Sequence, residues 1–497
     1  MSRRFINALP VCLAFAASAA SAVALNPRGI GQVLIYPYYT VNRGQDTLFT
    51  LVNTADTAKV ARVRFLEGYN GRTVFATYVF LSAHDVWTAA ITQVADGGGA
   101  KIATADASCT FPAMPTHMAL FTGDDFTSSN ADTGSTSITR TREGSIEVIE
   151  AADIVPGSAA EAAITHLQNG TPGGGIPACS FASGSGAQPV DLDELAPPTG
   201  GLYGSASIVD VSQGTLFAYG ATALAGFTDE LPVDDLTDSN QPALDKAHSS
   251  ESNRTARAYV GVDEGTLAID YDNGIDAVSA VLMADTIDND FLTTAALGAA
   301  TDWVVTFPTK RYYVDPRIPG TPFAPFGETF GDHDVGGVQV AGQSRIVYDG
   351  SIYDREEMGS PTFSCGFICP GGVFPPMLPF QVNVVNFVPD SHLGTPSAVL
   401  GSVLTTPYLS PFLSPSPNFT SGWMRMRFNA NALPGGVIEP NDAVALSGLP
   451  VVGFMVYNVV NANAQPGVLG NYGGAFAHRS TLACADIDGL PCPNANH

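Results

Sequence analysis

Short apolar runs separated by turn-forming residues dominate residues 31–92. Five runs are rich in Val, Phe, Tyr and Thr, and segments such as NRGQD and YNGR divide them. In AKVARVRF, Arg62 and Arg64 alternate with apolar residues, which predicts a strand with one buried and one solvated face. Five strands at this spacing predict an antiparallel β-sandwich. The runs are QVLIYPYYT, DTLFTLVNT, AKVARVRFLEG, TVFATYVFLSA and DVWTAAIT.

The next part of the chain mixes strand patterns with long polar segments. Residues 95–143 are rich in Gly, Ala, Ser, Thr and Asp and predict loop. GSIEVIEAADI (144–154) predicts a strand, and PGSAAEAAITHLQNG (156–170) predicts a short helix. LYGSASIVDVSQGTLFAYG (202–220) predicts a β-hairpin. The acidic stretch TDELPVDDLTDSNQPALD (228–245) predicts a solvated loop.

The remainder of the chain has further strand patterns with prolines and glycines between them. IDAVSAVLMADTI predicts a helix, and DWVVTFPTKRYYV predicts strands. Residues 314–380 combine Pro and Gly with aromatic residues and predict long ordered loops, because the aromatic side chains need burial. The last third contains four strand-like runs: FQVNVVNFV, SAVLGSVL, GWMRMRFNA and LPVVGFMVYNVV.

Together these patterns predict a mainly β fold, an antiparallel β-sandwich with long Pro/Gly-rich loops and a few short helices. We divide the chain into a signal peptide (1–24), an immunoglobulin-like β segment (25–95), a mixed, mainly β region (96–310) and a C-terminal region of Pro/Gly/aromatic-rich loops and strands (311–497). An arrangement in which the C-terminal strands join the N-terminal strands in one unit stays open.

The first residues have the three parts of a secretory signal peptide. MSRR is basic, FINALPVCLAFAASAA is apolar, and ASAVA offers small residues for cleavage after Ala22 or Ala24. A retained membrane anchor is the alternative, but the apolar run is shorter than the roughly 20 residues that a span needs. We therefore predict an exported protein, extracellular or on the outer cell surface, with the periplasm as the alternative.

The chain is strongly acidic, with 22 Lys and Arg against 47 Asp and Glu and a formal net charge of −25. Phosphate binding needs a positive surface, so a nucleic-acid partner is disfavoured. A 45% hydrophobic content beside 14% charged residues predicts a folded core. The longest later apolar stretch, residues 449–460, is too short for a transmembrane span. Cell-surface partners and self-assembly both stay open.

Six cysteines follow the predicted signal peptide, and an even number in an oxidising compartment predicts disulfides. Sequence alone allows fifteen pairings. The CGFIC segment lacks the helix of a redox couple and the second ligand pair of a zinc site, so a disulfide clip is favoured there. Proximity along the chain favours two pairs, Cys365 with Cys369 and Cys484 with Cys492, which leaves Cys109 to pair with Cys179.

One acidic turn offers ligands for a hard cation. DYDNGID places Asp270, Asp272 and Asp276 around Gly274, and carboxylate oxygens on a tight turn favour calcium as the one cofactor we consider. The spacing does not fit an EF-hand, because Gly274 occupies a position that needs an oxygen ligand. A solvated turn is the alternative. The nearby segment ADTIDND (284–290) offers three further carboxylates.

The motifs of common hydrolases are missing from the sequence or incomplete. No G-x-S-x-G, HExxH or P-loop occurs. The DTGS segment (132–135) occurs once, whereas an aspartic protease needs two aspartates that share a proton. The one local carboxylate group that we single out for glycoside hydrolysis is YDREE, with Asp354, Glu356 and Glu357, and an ion-paired strand end is its alternative. No catalytic residue is therefore predicted.

Five segments spread along the chain carry a resemblance: GIGQVLIYPYYTVN, EGSIEVIEAADI, GGLYGSASIVDVSQGTLFAYGATALAGF, TDWVVTFPTKRYY and GLPVVGFMVYNVV with GNYGGAFAHRS. Together they resemble a family of exported proteins of Gram-negative bacteria that has no assigned activity. The resemblance implies export and a single structural unit, and it carries over no site residue. LFTLVNTADTAKVARVRF resembles an immunoglobulin-like strand pair.

These observations predict a secreted or cell-surface β-protein that is structural, adhesive or ligand-binding and does not catalyse a reaction. One alternative is a secreted hydrolase that acts on polysaccharide through loop carboxylates. A second alternative is a periplasmic assembly factor that uses the immunoglobulin-like segment for strand pairing.

Overall fold

The computed structural model describes most of the chain. The described residues are 22–95, 97–114, 116–166, 175–179, 188–238, 240–248, 255–262, 265–335, 338–357, 359, 376–387, 394–407, 420–438, 442–461, 465–468, 470–486, 489 and 491–492. Cys365 and Cys369 lie outside these ranges, as does the predicted signal peptide up to residue 21.

Strands are the dominant element of the described residues. The first sixteen are β1 (Val23–Leu25), β2 (Val33–Thr40), β3 (Asp46–Asn53), β4 (Lys59–Glu67), β5 (Thr73–Leu81), β6 (Val86–Gln93), β7 (Ala100–Ala103), β8 (Cys109–Phe111), β9 (Met118–Leu120), β10 (Glu143–Ile154), β11 (Leu195–Ala196), β12 (Leu202–Asp210), β13 (Thr215–Gly220), β14 (Thr222–Ala225), β15 (Ala256–Val262) and β16 (Gly265–Tyr271).

The second half of the chain contributes sixteen more strands. They are β17 (Met283–Ala284), β18 (Thr286–Leu292), β19 (Ala299–Thr306), β20 (Gly331–Val335), β21 (Val338–Gln343), β22 (Val347–Asp354), β23 (Val382–Asn386), β24 (Thr405–Pro407), β25 (Ser421–Asn429), β26 (Leu433–Ile438), β27 (Asp442–Ser447), β28 (Leu449–Pro450), β29 (Val452–Val459), β30 (Tyr472–Ala477), β31 (Arg479–Thr481) and β32 (Ala483–Asp486).

Helices are few and short. Side-chain oxygens of Ser158 and Asn273 accept the first free backbone N–H groups of α1 and α2, which fixes where both helices begin. No helix among the described residues has the length and apolar character that crossing a membrane requires. The α-helices are α1 (Ala159–Ile164), α2 (Gly274–Leu282) and α3 (Lys310–Val314), and the 3-10 helices are Asn42–Gly44, Asp124–Phe126, Ser128–Asn130, Ile138–Arg142, Leu192–Glu194, Leu244–Lys246 and Ala295–Leu297.

Four large sheets organise the chain, and nearly all neighbouring strands are antiparallel. The 13-stranded sheet has the order β32-β27-β26-β16-β15-β1-β14-β2-β10-β4-β5-β8, with β11 paired to β10. The six-stranded sheet is β13-β12-β3-β6-β7-β9, the five-stranded sheet is β24-β23-β19-β29-β30, and the four-stranded sheet is β22-β25-β18-β31.

The first hydrophobic core lies between the six-stranded sheet and strands β2, β10, β4 and β5 of the 13-stranded sheet. Strand alternation sends Phe49 and Trp87 inward from one sheet and Phe65 inward from the other. The ring centres of Phe49 and Trp87 are 5.4 Å apart, and those of Phe49 and Phe65 are 5.7 Å apart. This face-to-face packing makes the N-terminal part a β-sandwich.

The five-stranded sheet separates this first core from a second one. Val304 on β19 packs into the first core, whereas its neighbours Trp303 and Val305 pack into the second. The second core also receives side chains from the four-stranded sheet, such as Met424, and from α2, such as Val278. Because one buried sheet serves both cores, the layers share a continuous apolar interior.

The predicted fold class is confirmed: the structure is mainly β, with several antiparallel sheets. The five predicted strands of residues 31–92 correspond to β2 to β6, and the predicted hairpin is β12 and β13. The prediction for residues 95–143 was incomplete, because β7, β8 and β9 lie there. SAVLGSVL (397–404) forms turns rather than a strand.

The 13-stranded sheet draws strands from all three regions into which we divided the mature chain. It contains β1, β2, β4 and β5 from the first region, β8, β10, β11 and β14 to β16 from the second, and β26, β27 and β32 from the third. β1 lies between β14 and β15, and 1% of Val23 is exposed. Of the two predicted cleavage positions, cleavage after Ala22 leaves β1 whole, whereas cleavage after Ala24 removes two of its three residues.

Two of the three predicted disulfides lie in the described residues. Cys109 is bonded to Cys179 with Cα atoms 5.5 Å apart, and Cys484 to Cys492 with Cα atoms 5.3 Å apart. The predicted pair in CGFIC lies outside the described residues and stays a prediction.

Candidate functional site

Two arginines of β4 lie on the face of the 13-stranded sheet that points away from the first core. The register sets Arg64 opposite Glu147 and Arg62 opposite Tyr78. Arg64 Nη1 lies 3.4 Å from Glu147 Oε1, and the Arg62 guanidinium lies 4.8 Å from the ring centre of Tyr78. Only 2% of Arg62 and 3% of Arg64 is exposed. The prediction of a solvated face on β4 was therefore wrong.

The acidic segment 228–245 is what buries this face. Arg64 Nη2 donates to the carbonyl oxygen of Pro242 at 2.8 Å, and the Tyr78 hydroxyl donates to that of Gln241 at 2.6 Å. The segment was predicted to be a solvated loop, but its carbonyl groups supply the acceptors that buried guanidinium groups require. Three of its large apolar side chains are also buried: Val233, Leu236 and Leu244.

The segment KRYYV was predicted as strand, but it forms α3. Lys310 is fully buried, and its Nζ donates to the carbonyl oxygens of Ser344 at 2.7 Å and Phe380 at 2.9 Å. Arg311 points to a different side of the helix, and its Nη1 donates to the carbonyl oxygen of Gly71 in the β4–β5 turn. The two side chains diverge because consecutive helical residues point about 100° apart.

A cleft of about 530 Å³ lies where the β4–β5 turn, residues 238–246 and residues 311–318 meet. We name it the arginine cleft. Five basic and four acidic side chains line it. The basic ones are Arg64, Arg72, Lys246, Arg311 and Arg317, and the acidic ones are Asp125, Asp238, Asp245 and Asp315.

Ion pairs hold the arginine cleft in shape. Arg72 Nη1 and Arg317 Nη2 lie 2.9 and 3.0 Å from Asp315 Oδ2, and Arg317 Nη1 lies 3.5 Å from Asp125 Oδ1. The Arg72 side chain is 4% exposed and that of Arg317 is 49% exposed. Arg72 therefore forms the floor of the cleft, and Arg317 stands at its rim.

The arginines of the cleft keep unused hydrogen-bond donors. Within the described residues, the Nε atoms of Arg64, Arg72 and Arg311 are buried and have no hydrogen-bond acceptor. The other nitrogens of Arg311 donate to the carbonyl oxygen of Gly71 at 3.3 Å and the hydroxyl of Tyr312 at 2.8 Å. Because a buried donor without an acceptor costs free energy, three such donors around one cleft indicate a place for an external acceptor.

Burial changes the acidity of the cleft carboxyl groups. Removal from water raises the pKa of Asp125 and of Asp315, and the positive charge of Arg72 offsets part of the rise in each. Asp125 and Asp315 are therefore easier to protonate than exposed aspartates.

A second ion-pair group supports the floor of the cleft. Arg140 Nε lies 2.7 Å from Glu67 Oε2, and Arg140 Nη2 lies 2.6 Å from Asp132 Oδ2. Burial alone would raise the pKa of Asp132, but hydrogen bonds from Arg140 and Asn70 outweigh it and lower that pKa. Asp132 also lies 3.7 Å from Arg72 Nε, so the isolated DTGS segment serves as an ion-pair partner.

The predicted calcium ligands have other partners. Both carboxylate oxygens of Asp270 accept hydrogen bonds of 2.7 Å from Arg257. Asp276 accepts a 2.6 Å bond from the Tyr313 hydroxyl, and Asn273 caps α2. Asp270, Asp272 and Asp276 do not converge into a ligand group. Calcium binding stays a prediction, and the geometry gives two of its three carboxylates a different role.

The remaining acidic candidates lie away from the arginine cleft. Asp354 ends β22, and its Oδ1 accepts the backbone N–H of Glu356 at 2.9 Å, as in a strand end. Asp288, in the segment ADTIDND, pairs with Arg425 at 2.6 Å. Neither they nor Glu357 line the cleft.

The described residues bring together one group with the composition of a metal site. Asp229, Glu230 and His248 place ligand atoms within 4.8 Å of one another. His248 Nε2 lies 2.9 Å from Glu230 Oε2, and Asp229 is exposed. Sequence reasoning missed this group, because His248 lies 18 positions after the adjacent Asp229 and Glu230. An ion pair accounts for its geometry.

Sequence reasoning also missed Arg72, Arg311 and Arg317. A usable signal existed, because three of the 22 basic residues of this acidic chain fall within Lys310–Arg317. We read that segment as a strand and therefore did not consider its cluster of basic residues as a site.

The fold and the cleft define a β-rich protein with layered antiparallel sheets and an arginine-lined cleft on the covered face of the largest sheet. No protein-family model, curated protein or solved structure matches the chain. The site therefore carries the functional argument alone.

Proposed function

We propose that the protein is an exported, non-catalytic ligand-binding β-protein. Its arginine cleft binds a small polar ligand that carries one carboxylate, as a uronic acid does. The observation that carries this proposal is the set of three buried guanidinium Nε donors without an acceptor around one cleft of 530 Å³. That volume is within the usual range of small-molecule sites.

The mixed charge of the cleft determines the kind of ligand that fits. A guanidinium group binds a carboxylate through two parallel hydrogen bonds, so the arginines suit one carboxylate. Four aspartates also line the cleft, which disfavours a ligand with several negative charges. The same aspartates can accept hydrogen bonds from ligand hydroxyl groups, and the amides of Asn240 and Gln241 can accept from such groups or donate to them. An acidic sugar combines both features.

Two further observations support the location and mode of action. The disulfides Cys109–Cys179 and Cys484–Cys492 suit an oxidising compartment, as the predicted signal peptide does. Of the four cleft carboxylates, Asp125 and Asp315 both pair with Arg317, so these two act as ion-pair partners that shape the cleft.

Calorimetric titration of the mature protein (residues 23–497) tests the proposal. We expect glucuronate or galacturonate to bind and the neutral sugars glucose and galactose to bind at least about tenfold more weakly, because the neutral sugars leave the guanidinium donors unpaired. The double variant Arg317→Gln/Lys246→Gln removes charge at the rim and spares the buried Arg72. We expect it to weaken uronate binding by about tenfold.

Arg427→Gln is the matched control, because its side chain is 58% exposed and does not line the cleft. Equal affinity for acidic and neutral sugars, or no heat with either uronate, would contradict the proposal. Release of reducing ends from polygalacturonate would instead favour the hydrolase alternative.

A further inference from the structure

The outer face of the six-stranded sheet is an exposed surface with very little charge. It consists of the outward-pointing residues of β13, β12, β3, β6, β7 and β9, and we name it the bare face. Only two of its outward positions are charged, Asp46 and Lys101, although the chain contains 69 charged residues and has a net charge of −25. Its charge is balanced, in contrast to the protein as a whole.

Large apolar side chains are concentrated on the bare face. Six that are at least 38% exposed lie on it: Leu48, Val86, Met118, Leu120, Tyr203 and Leu216. Most of the positions between them hold Ala, Ser, Thr or Val. A contiguous exposed apolar surface on a folded protein commonly marks an interaction site.

The residues of the bare face form rows across the sheet, and β6 lies near its centre. One row runs from Ser207 on β12 through Leu48 and Ala90 to Ala103 and then Met118 on β9. On one side of Ala90 the large Leu48 comes first and the small Ser207 second, whereas on the other side the small Ala103 comes first and the large Met118 second.

The neighbouring row repeats this arrangement with charge. Asp46 on β3 and Lys101 on β7 lie one strand to either side of Thr92 on β6. Farther out, Val209 on β12 and Leu120 on β9 stand on opposite sides. Both rows therefore have a centre on β6. In the first row residues of unlike size are equally spaced about it, and in the second row the opposite charges are, with an apolar residue farther out on each side.

We propose that two copies of the chain associate through their bare faces about a two-fold axis parallel to β6. Such an axis maps each row onto the same row of the partner with its direction reversed. Leu48 then faces the alanine at 103, Met118 faces the serine at 207, and Asp46 faces the lysine at 101 of the second copy. Large residues meet small ones, and the two charges pair, as a self-complementary interface requires.

The size of the bare face suits a dimer. Six strands about 4.8 Å apart and four rows about 7 Å apart give a surface of about 700 Å². A specific interface buries roughly 800 Å² on each partner. The two faces would pack as aligned sheets about 10 Å apart, as in a β-sandwich. This inference is independent of the arginine cleft, which lies on the other outer side of the sandwich.

Sedimentation velocity of the mature protein over a concentration series tests the proposal. We expect a monomer–dimer equilibrium that shifts toward dimer as salt is added, because salt screens the repulsion between two mature chains, each of formal charge −27 once Arg3 and Arg4 are removed from the −25 of the full sequence. Leu48→Glu should raise the dimer Kd by at least about tenfold, since it buries a charge without a partner. Leu297→Glu, at a position that is 52% exposed outside the bare face, should leave Kd unchanged.

A charge exchange tests the symmetry itself. Lys101→Asp should weaken the dimer, and Asp46→Lys/Lys101→Asp should restore it, because the exchanged charges again face each other. A monomer at every concentration and salt level would overturn the proposal. A dimer that Leu48→Glu and Leu297→Glu affect equally would overturn the assignment of the bare face. Circular dichroism that matches the unmodified protein shows that each variant is folded.

Discussion

The two outer faces of the N-terminal sandwich have the same strand alternation, but one face is buried and the other is exposed. On the 13-stranded side, the outward positions of β4 and β10 carry Arg62, Arg64 and Glu147, and later segments of the chain bury them. On the six-stranded side, the outward positions are almost uncharged and remain exposed. Burial here therefore does not follow from polarity alone. Charged groups attract a covering segment that can satisfy their hydrogen bonds, whereas the mostly uncharged side chains of the bare face have no such charges for a segment of the same chain to satisfy.

The largest expected effect comes from removing a charge on the covered face. Arg64→Ala removes the nearer of the two basic partners of the buried Glu147, leaving Arg311 at 4.0 Å, and leaves the Pro242 carbonyl without its donor. Breaking a buried ion pair from one side costs about 3–5 kcal/mol. Urea unfolding monitored by tryptophan fluorescence measures the cost. Lys101→Ala, a basic residue on the bare face, is the control, and equal losses for the two variants would remove the distinction between the faces.

The next largest effect concerns the disulfide that lies beside segment 228–245, the segment that covers the 13-stranded sheet. Cys109 lies on β8 at the edge of the 13-stranded sheet, and its bond to Cys179 closes a sequence separation of 70 residues beside the buried Leu236. Replacing both cysteines by serine should lower the stability by about 2–4 kcal/mol. Limited proteolysis should then cut within 228–245 before any other described segment.

Removal of Cys484 and Cys492 is the comparison for that experiment. Their sequence separation is only 8, so the loss should be smaller. An equal loss of stability from the two double variants would mean that the Cys109–Cys179 bond does not stabilise the protein through segment 228–245.

A smaller effect is expected from acid, through Asp132 beneath the arginine cleft. Hydrogen bonds from Arg140 and Asn70 lower its pKa in the folded state, so the folded protein binds this proton less readily than the unfolded chain. The stabilisation is therefore complete above the ordinary aspartate pKa of about 3.9 and is lost as pH falls through the lower folded value.

Asp132→Asn should lower the stability at neutral pH by about 1–3 kcal/mol and flatten the decline below pH about 4. Thermal melting over an acidic pH series measures both effects. Asp46→Asn on the bare face should leave the acidic decline intact, because burial raises the pKa of Asp46 and the charge of Lys101 offsets only part of the rise.

The smallest effect is expected on the bare face itself. Ser207→Ala changes an outward position of β12 whose side chain has no partner across the rows, so the stability should change by less than about 0.5 kcal/mol. Chemical unfolding at low protein concentration, where the chain is monomeric, measures the change. A loss as large as that of Arg64→Ala would show that the bare face is part of the folded core.

Local patterns were enough to predict much of the fold. Alternation between β2 and β6 and the hairpin of β12 and β13 could be read directly, because a strand that buries one face repeats every two residues. The start of α2 could be predicted for a similar reason, since Asn273 caps it through groups three residues apart. Spacing along the chain also gave the disulfide partners Cys484 and Cys492.

The candidate site could not be predicted in this way. Arg64, Arg72, Asp125 and Arg317 come from separate segments, and no local pattern records that they meet. The sequence by itself determined the strand alternation, the acidic surface and the pairing of Cys484 with Cys492. Only the tertiary structure decided that one polar face would be covered and the other left bare. The physical reason is that covering a face depends on whether a distant segment can satisfy its buried charges, and that match exists only after both segments are placed.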